Sequence, residues 1–295
     1  MEKFVYDFSE GTKDMKELLG GKGANLACMK NLGLPVPDGF TVTTLACNKY
    51  YAEGKMISPN IEEEIYKHLA TLEIRTGKIL GGVNNPLLVS VRSGARSSMP
   101  GMMDTILNLG LNDQVAVSFA KITNNKRFVY DSYRRLIMMF ADVVMGKDKS
   151  IFEEYLTNYK KEHNYSSDTD MTGDDWYNIA EMYKNLFKKL TGETFYQDAT
   201  KQLIMAVGAV FKSWNNKRAI YYRKINNIPD DWGTAVNVQE MVYGNKNNNS
   251  GTGVAFSRNP ATGKNELFGE YLINAQGEDV VAGIRTPKSI ETLKD

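Results

Sequence analysis

Leu87-Leu88-Val89-Ser90-Val91-Arg92-Ser93-Gly94-Ala95-Arg96-Ser97-Ser98-Met99-Pro100-Gly101-Met102-Met103-Asp104-Thr105 begins as a strand and ends as a loop. Leu87–Arg92 is apolar and β-branched, as a sheet strand requires, and the residues beyond it are rich in Gly, Ser and Met. No acid stands between Asn85 and Met103. Arg92, Arg96 and the serines at 93, 97 and 98 therefore make a dense donor set for an anion, and phosphate is the natural guest. Gly94 and Gly101 let backbone amides approach phosphate oxygens with no Cβ in the way, while the planar fork of Arg92 matches two oxygens at once. The bland alternative, a solvated surface loop, fits composition alone equally well.

Outward from this stretch, residues 1–112 alternate short strands with helices, which is α/β character. The start of the chain, Met1 to Tyr6, alternates apolar and polar residues, and Phe4–Phe8 reads as a strand. After Gly20-Gly21 a helix carries Leu26, Met29 and Leu32 and stops at Gly33, with Pro35 and Pro37 beyond. Phe40–Thr44 reads as a strand. Ser58-Pro59 caps a helix with Ile61, Ile65, Leu69 and Leu72 on one face. From Asp113 to Asn226 apolar residues fall at helical spacing and Gly and Pro are scarce, with an exposed connection expected between Asn158 and Asp175. The expected division is an insertion at 113–197, a returning helix at 198–233 and a second lobe at 234–295. In that lobe Thr252–Arg258 and Glu266–Ile273 pair around Asn259–Gly263, and Ser289–Leu293 starts a helical turn.

Lys and Arg total 36 against 35 Asp and Glu, a net charge of +1, so no nucleic-acid partner is expected. The 295 residues suggest about two domains. The apolar runs are far too short for a bilayer-spanning helix and the start lacks a signal-peptide core, so a cytoplasmic protein is expected. Two Cys and two His do not form a zinc site by familiar spacing; no residue is assigned to a metal, and any metal chemistry must use oxygen ligands.

Three further segments carry candidate chemistry. Leu19-Gly20-Gly21-Lys22-Gly23-Ala24-Asn25-Leu26 is a glycine turn feeding a helix with a lysine at the junction, suited to an anion, although the Walker A spacing is absent. Val236–Val242, with Gln239, Glu240 and Met241, is an alternating strand whose free edge suits adenine, though most sheets contain such a stretch. Asn274–Asp279 sets Glu278 and Asp279 after a glycine turn, where acids accept ribose hydroxyls, hold Mg²⁺ through water or simply face solvent. His68 and His163 read as surface histidines. Met99, Met102 and Met103 read either as a lid over a base or as core filler.

Taken together, Leu19–Leu26, Ser90–Arg96, Met99–Thr105, Val238–Val242, Gly253–Gly263 and Asn274–Pro287 closely resemble the pyruvate phosphate dikinase family, in order and over essentially the whole chain. The Met-Pro-Gly-Met-Met-Asp-Thr run favours that family over the related phosphoenolpyruvate synthases. The resemblance implies an ATP-grasp-like nucleotide-binding domain with a helical insertion, MgATP as ligand, and a homodimeric parent. It implies that Lys22 and Arg92 contact the ATP phosphates as the catalytic pair. It further implies that Gly94 and the Gly101 loop, with Met102, Met103, Asp104 and Thr105, cover those phosphates, that Gln239 to Val242 frame adenine, and that Thr252 and Glu278 complete the nucleotide site, Glu278 at the ribose. The family reaction converts ATP, phosphate and pyruvate to AMP, pyrophosphate and phosphoenolpyruvate through a phosphohistidine.

Family members are much longer, so the resemblance also implies phosphohistidine and pyruvate-binding domains beyond this chain, and last strands of the ATP lobe that carry acidic Mg²⁺ ligands and an arginine. On that basis the 295 residues alone are expected to bind MgATP weakly and not to form phosphoenolpyruvate. Two rivals stand beside this reading: a non-catalytic module whose helical block docks a partner, and a stand-alone ATP-grasp ligase.

Overall fold

The computed structural model describes residues 2–281, 283 and 285–294; Met1 of the first alternating run, and Ala282 and Ile284 of the last quoted motif, lie outside the described residues. Contacts divide the chain into two units, Met1–Met241 and Val242–Asp295.

In the first unit β1 (Val5–Asp7) leads to α1 (Lys16–Asn31), β2 (Gly39–Val42), α2 (Thr44–Ala52) and α3 (Pro59–Thr76). The short β3 (Ile79–Leu80) and β4 (Pro86–Leu87) precede β5 (Val89–Ala95) and β6 (Thr105–Leu109). Six helices follow, α4 (Asp113–Thr123), α5 (Lys126–Met139), α6 (Ser150–Glu162), α7 (Gly173–Thr191), α8 (Ala199–Ser213) and α9 (Lys217–Ile225), and then β7 (Thr234–Glu240). Five strands in the order β1-β2-β7-β5-β6 form one sheet, antiparallel at every pairing. The expected α/β alternation thus resolves as mixed helix and antiparallel sheet, and among the described residues only β3 and β4 pair in parallel.

The expected boundary at 234 moves. β7 pairs with β2 on one side and β5 on the other, and Val236 and Val238 are fully buried, so it is a central strand of the first sheet. Period-two alternation reports a half-buried strand but not which sheet receives it. Residues 113–197 and 198–233 fall in the same contact unit as 1–112.

Register across this sheet sets Thr41 opposite Asn237 and Asn237 opposite Arg92, so the three side chains stand in a row on one face. Phe40, Val42, Val89, Val91, Val236 and Val238 alternate onto the other face, all buried. α1 packs on the polar row. A Cβ on Gly23 would meet Thr41 Oγ1 at 2.9 Å and Asn237 Oδ1 at 3.0 Å, so only glycine lets the helix come this close.

Ser58 does precede α3, with Pro59 at the first helical position, but its hydroxyl bonds Asn60 Oδ1 and not the backbone. The exposed connection expected between Asn158 and Asp175 is shorter, since α6 runs to Glu162 and Asp175 is buried in a capping box with Thr172. Among the helices, Asp131 is buried between Arg134 and Arg135; burial pushes its carboxyl up, but the two guanidinium groups outweigh that and hold it well below the usual carboxylate range.

The second unit holds β8 (Gly251–Phe256), β9 (Phe268–Ile273), α10 (Gly277–Val281) and β10 (Lys288–Ser289), with a 3-10 turn at Ile290–Lys294. β8 and β9 pair antiparallel from Gly251↔Ile273 to Phe256↔Phe268, the hairpin read from the sequence. No helix among the described residues is long and apolar enough to cross a membrane.

Candidate functional site

α1 is broken at Gly20, whose φ of 68° and ψ of 172° are not helical. The break ends a first turn at Leu19 and restarts the helix at Gly21, which puts Lys22 in a new first turn. The same break seats the helix start on β5, because a Cβ on Gly20 would lie 1.6 Å from the carbonyl oxygen of Gly94. A Cβ on Gly94 would in turn lie 2.6 Å from Asn237 Nδ2 and 3.5 Å from Lys22 Cβ. Gly94 is part of strand β5 and not of a loop, so the strand is longer than the run Leu87–Arg92 suggests.

Between this helix start and the segment after β5 lies a cavity of about 640 Å³. Lys22, Gly94, Gly101, Met103 and Thr105 line it, so the two glycine-rich stretches form one wall. Its lining holds Lys16, Lys22 and Arg96 and no acid. Lys22 is pushed down to about 8, first by burial and then by the positive charge of Arg92. Arg92 stands on β5, where it faces Thr105 across the pairing with β6. It is near enough to Lys22 to act on it electrostatically but is not among the cavity-lining residues.

Two other members of the Gly101 loop turn to structural contacts. Met102 packs with Met103 against the buried cluster of Ala95, Met99, Trp214 and Ala219, and its carbonyl accepts a bond from Asn216 Nδ2 at 2.9 Å. Met99, with 6% of its surface exposed, is core filler, the second of its two readings. Asp104 accepts a bond from Arg218 at 2.6 Å; burial raises its carboxyl despite that partner.

The adenine argument from a free strand edge is corrected. Gln239 faces Gly39 and Ser90 on its two sides, the amide of Glu240 donates to Asp38 O, and that of Met241 to Leu88 O. The Glu240 carboxylate is paired with Lys78 at 2.7 Å. A central strand has no spare backbone until it leaves the sheet, which here happens at Val242. In the second unit Thr252 lies on β8, and a Cβ on Gly277 would stand 3.8 Å from its hydroxyl, so Thr252 adjoins the start of the helix that carries Glu278. Asp279 is buried and accepts a bond from the Gln276 amide, which makes it a turn-former, not a solvated acid.

His68 is also corrected. Its Nδ1 lies 2.7 Å from Asp7 Oδ1, and Arg75 holds the other oxygen at 2.8 Å, a knot that ties α3 to β1. With Glu10 these groups are close enough to hold a cation, but Asp7 is already engaged by His68 and Arg75, and Glu10 by Lys3 and the Asp7 amide. His163 is exposed and stacks on Tyr159 at 4.1 Å between ring centres.

Lys16 is a cavity residue that motif reasoning did not single out, and Asn25, inside the quoted helix-start motif, was given no role of its own. Arg96 and Ser97, named in the donor set after β5, do line the cavity.

A cationic, acid-free cavity beneath glycine-built backbone has the lining that suits an anion such as a phosphate group. A family model described as pyruvate phosphate dikinase, AMP/ATP-binding domain, matches residues 16–79 and 56–295, and the chain belongs to that family. It is 58% identical over 296 aligned residues to pyruvate, phosphate dikinase of Clostridium symbiosum, covering 100% of this chain and 34% of the relative. The enzyme of the same name from Rhizobium meliloti is 52% identical, with 98% of this chain and 33% of the relative covered. A chloroplastic one from Mesembryanthemum crystallinum is 54% identical, with 97% and 30% covered. The chain thus spans about a third of the length of these curated relatives.

Proposed function

We propose that the chain binds ATP or AMP, with the nucleotide phosphates in the cavity at Lys22, and that it serves as the nucleotide part of a dikinase. The observation that carries this is the acid-free cavity walled by Lys22, Gly94 and Gly101. A buried ammonium that burial and Arg92 push toward neutrality gains most from a polyanion, which restores its charge and offsets its desolvation.

In this reading Lys22 and Arg92 neutralise phosphate charge, and Gly94 and the Gly101 loop offer backbone amides. Met103 and Thr105 complete the wall, while Met102 and Asp104 anchor the loop through Asn216 and Arg218. Adenine meets Met241 and Val242, where β7 ends, with Gln239 and Glu240 holding that end in the sheet. The assignment of Thr252 and Glu278 to the nucleotide, an ATP-grasp-like fold and residues 113–197 as a helical insertion rest on the family resemblance alone.

Mg²⁺ would neutralise phosphate charge. The cavity lining supplies no carboxylate for it, so the described residues around Lys22 do not fit a metal site, and no step is assigned to the ion. Phosphate and pyruvate as co-substrates, a phosphohistidine carrier and a homodimeric parent follow only from the relatives' reaction. Limited proteolysis tests the reading: ATP should protect the chain from cleavage near Gly101 while adenosine should not. Equal cleavage with and without ATP would overturn it.

A further inference from the structure

Helix α8 carries a glycine, Gly208, in its interior, where glycine is less favourable than alanine. Packing does not require it. A Cβ there would stand 3.8 Å from Ile57 Cδ1 and 3.9 Å from Tyr50 Cε2, ordinary van der Waals contact, unlike the overlaps that Gly20 and Gly23 avoid. What the missing side chain leaves is open space: Gly208 lines a cavity of about 340 Å³ between α8, the end of α2 and the segment that follows α2. Val144 lines it too, at the end of Phe140–Val144, which is wound as a π-helix, a rare form that is frequent at functional sites. The cavity belongs to the first unit and shares no residue with the one at Lys22.

Met56, Ile57, Ile204 and Met205 make its walls apolar. Its charged residues are Lys55 and Lys212, and no acid lines it. Neither lysine makes an ion pair among the described residues. Lys55 is placed by its own backbone, since its amide donates to Tyr50 O at 2.8 Å. Tyr50 is 6% exposed, and its ring is held by Tyr51 and Phe211, at 5.3 and 5.5 Å between centres. Its hydroxyl has no hydrogen-bond partner among the described residues. Burial, with Cys47 beside it, pushes the phenol up, so it stays a donor. An apolar slot with two ammonium groups, one buried hydroxyl able to donate and no carboxylate is complementary to an anion on an apolar body.

We propose that this cavity is a binding site for a small carboxylate with an aromatic or branched apolar body, separate from the nucleotide phosphates. The body fills the space over Gly208, and the carboxylate meets Lys55, Lys212 and the Tyr50 hydroxyl. The site goes beyond the nucleotide reading and does not rest on it.

Met56 and Met205 supply the readout. The 295-residue chain, isotope-labelled at its methionine methyl groups and assigned with Met56→Leu and Met205→Leu, is titrated with phenylbutyrate and with its neutral amide while the methyl signals are followed by NMR. Phenylbutyrate should shift both signals saturably and bind about tenfold or more tighter than the amide. Replacing both lysines, Lys55→Gln with Lys212→Gln, should weaken the carboxylate about tenfold and leave the amide unchanged. Gly208→Leu should abolish the shifts, and Gly208→Ala, which adds one methyl to a helix, should weaken binding several-fold with the fold intact. The shifts should persist in saturating ATP. Absence of saturable shifts in wild type, equal affinity for phenylbutyrate and its amide, or undiminished binding by the double lysine variant would overturn the site. Displacement by ATP would overturn its separateness.

Discussion

Gly20 touches the carbonyl of Gly94 so closely that a Cβ there would lie 1.6 Å from the oxygen. This backbone-to-backbone contact joins two glycine-rich segments that are far apart in sequence and makes them a single wall. The position of Lys22 depends on that seat, because it rides on the helix that starts there.

Replacing Gly20 by Ala should therefore be severe. A left-handed residue costs about 1–2 kcal/mol without glycine, and overpacking adds roughly 1–3 kcal/mol. Gly101 also has positive φ, at 71°, but nothing lies within 4 Å of its Cβ direction. Denaturant unfolding should show a loss of about 3 kcal/mol or more for Gly20→Ala and about 1 kcal/mol for Gly101→Ala. Equal losses would show that the Gly94 contact does not matter.

Binding of a triphosphate should weaken as pH rises. Free Lys22 titrates at about 8 and must be charged to hold phosphate, so above that value each binding event takes up a proton. Affinity for ATP should fall by up to about tenfold per pH unit above pH 8, and Lys22→Arg, always charged, should flatten the profile. A flat profile in wild type would exclude Lys22 as the phosphate ligand.

The same lysine destabilises the empty fold. Between about 8 and 10.5 the unfolded chain holds a proton that the folded chain has lost, so stability rises with pH across that window. Lys22→Met should raise stability at pH 7 by as much as ~3 kcal/mol while abolishing ATP binding. A variant that loses both stability and binding would contradict this.

Asp7 behaves in the opposite sense. Burial pushes its carboxyl up, but the bonds from His68 and Arg75 outweigh burial and lower it. Its contribution is present at neutral pH and disappears as pH falls through the folded value, below 3.8. Asp7→Asn should cost about 1–3 kcal/mol at pH 7 and progressively less in acid, as read by thermal melts at several pH values. A cost that is constant with pH would show that the charge is irrelevant.

Local patterns carried much of the fold. The stop of α1 at Gly33, the amphipathic face of α3 and the β8–β9 hairpin all follow from signals within a few residues. The destination of β7 did not, because alternation fixes a strand's faces and not its neighbours. His68 was misread for a similar reason: its partner Asp7 is 61 residues away in sequence. Lys16 and Arg96 meet at one wall only because Gly20 meets Gly94, a contact that no spacing rule encodes.

The central claim is that the cavity at Lys22 holds nucleotide phosphates with Arg92 acting on them from β5 beside it, and calorimetry of ATP and adenosine with wild type and Arg92→Lys tests it most directly. Lysine keeps the charge and loses the planar fork, so ATP binding should weaken about ten- to a hundredfold while adenosine binding is unchanged. No ATP binding by wild type, or equal weakening of both ligands in a folded Arg92→Lys variant, would contradict the account.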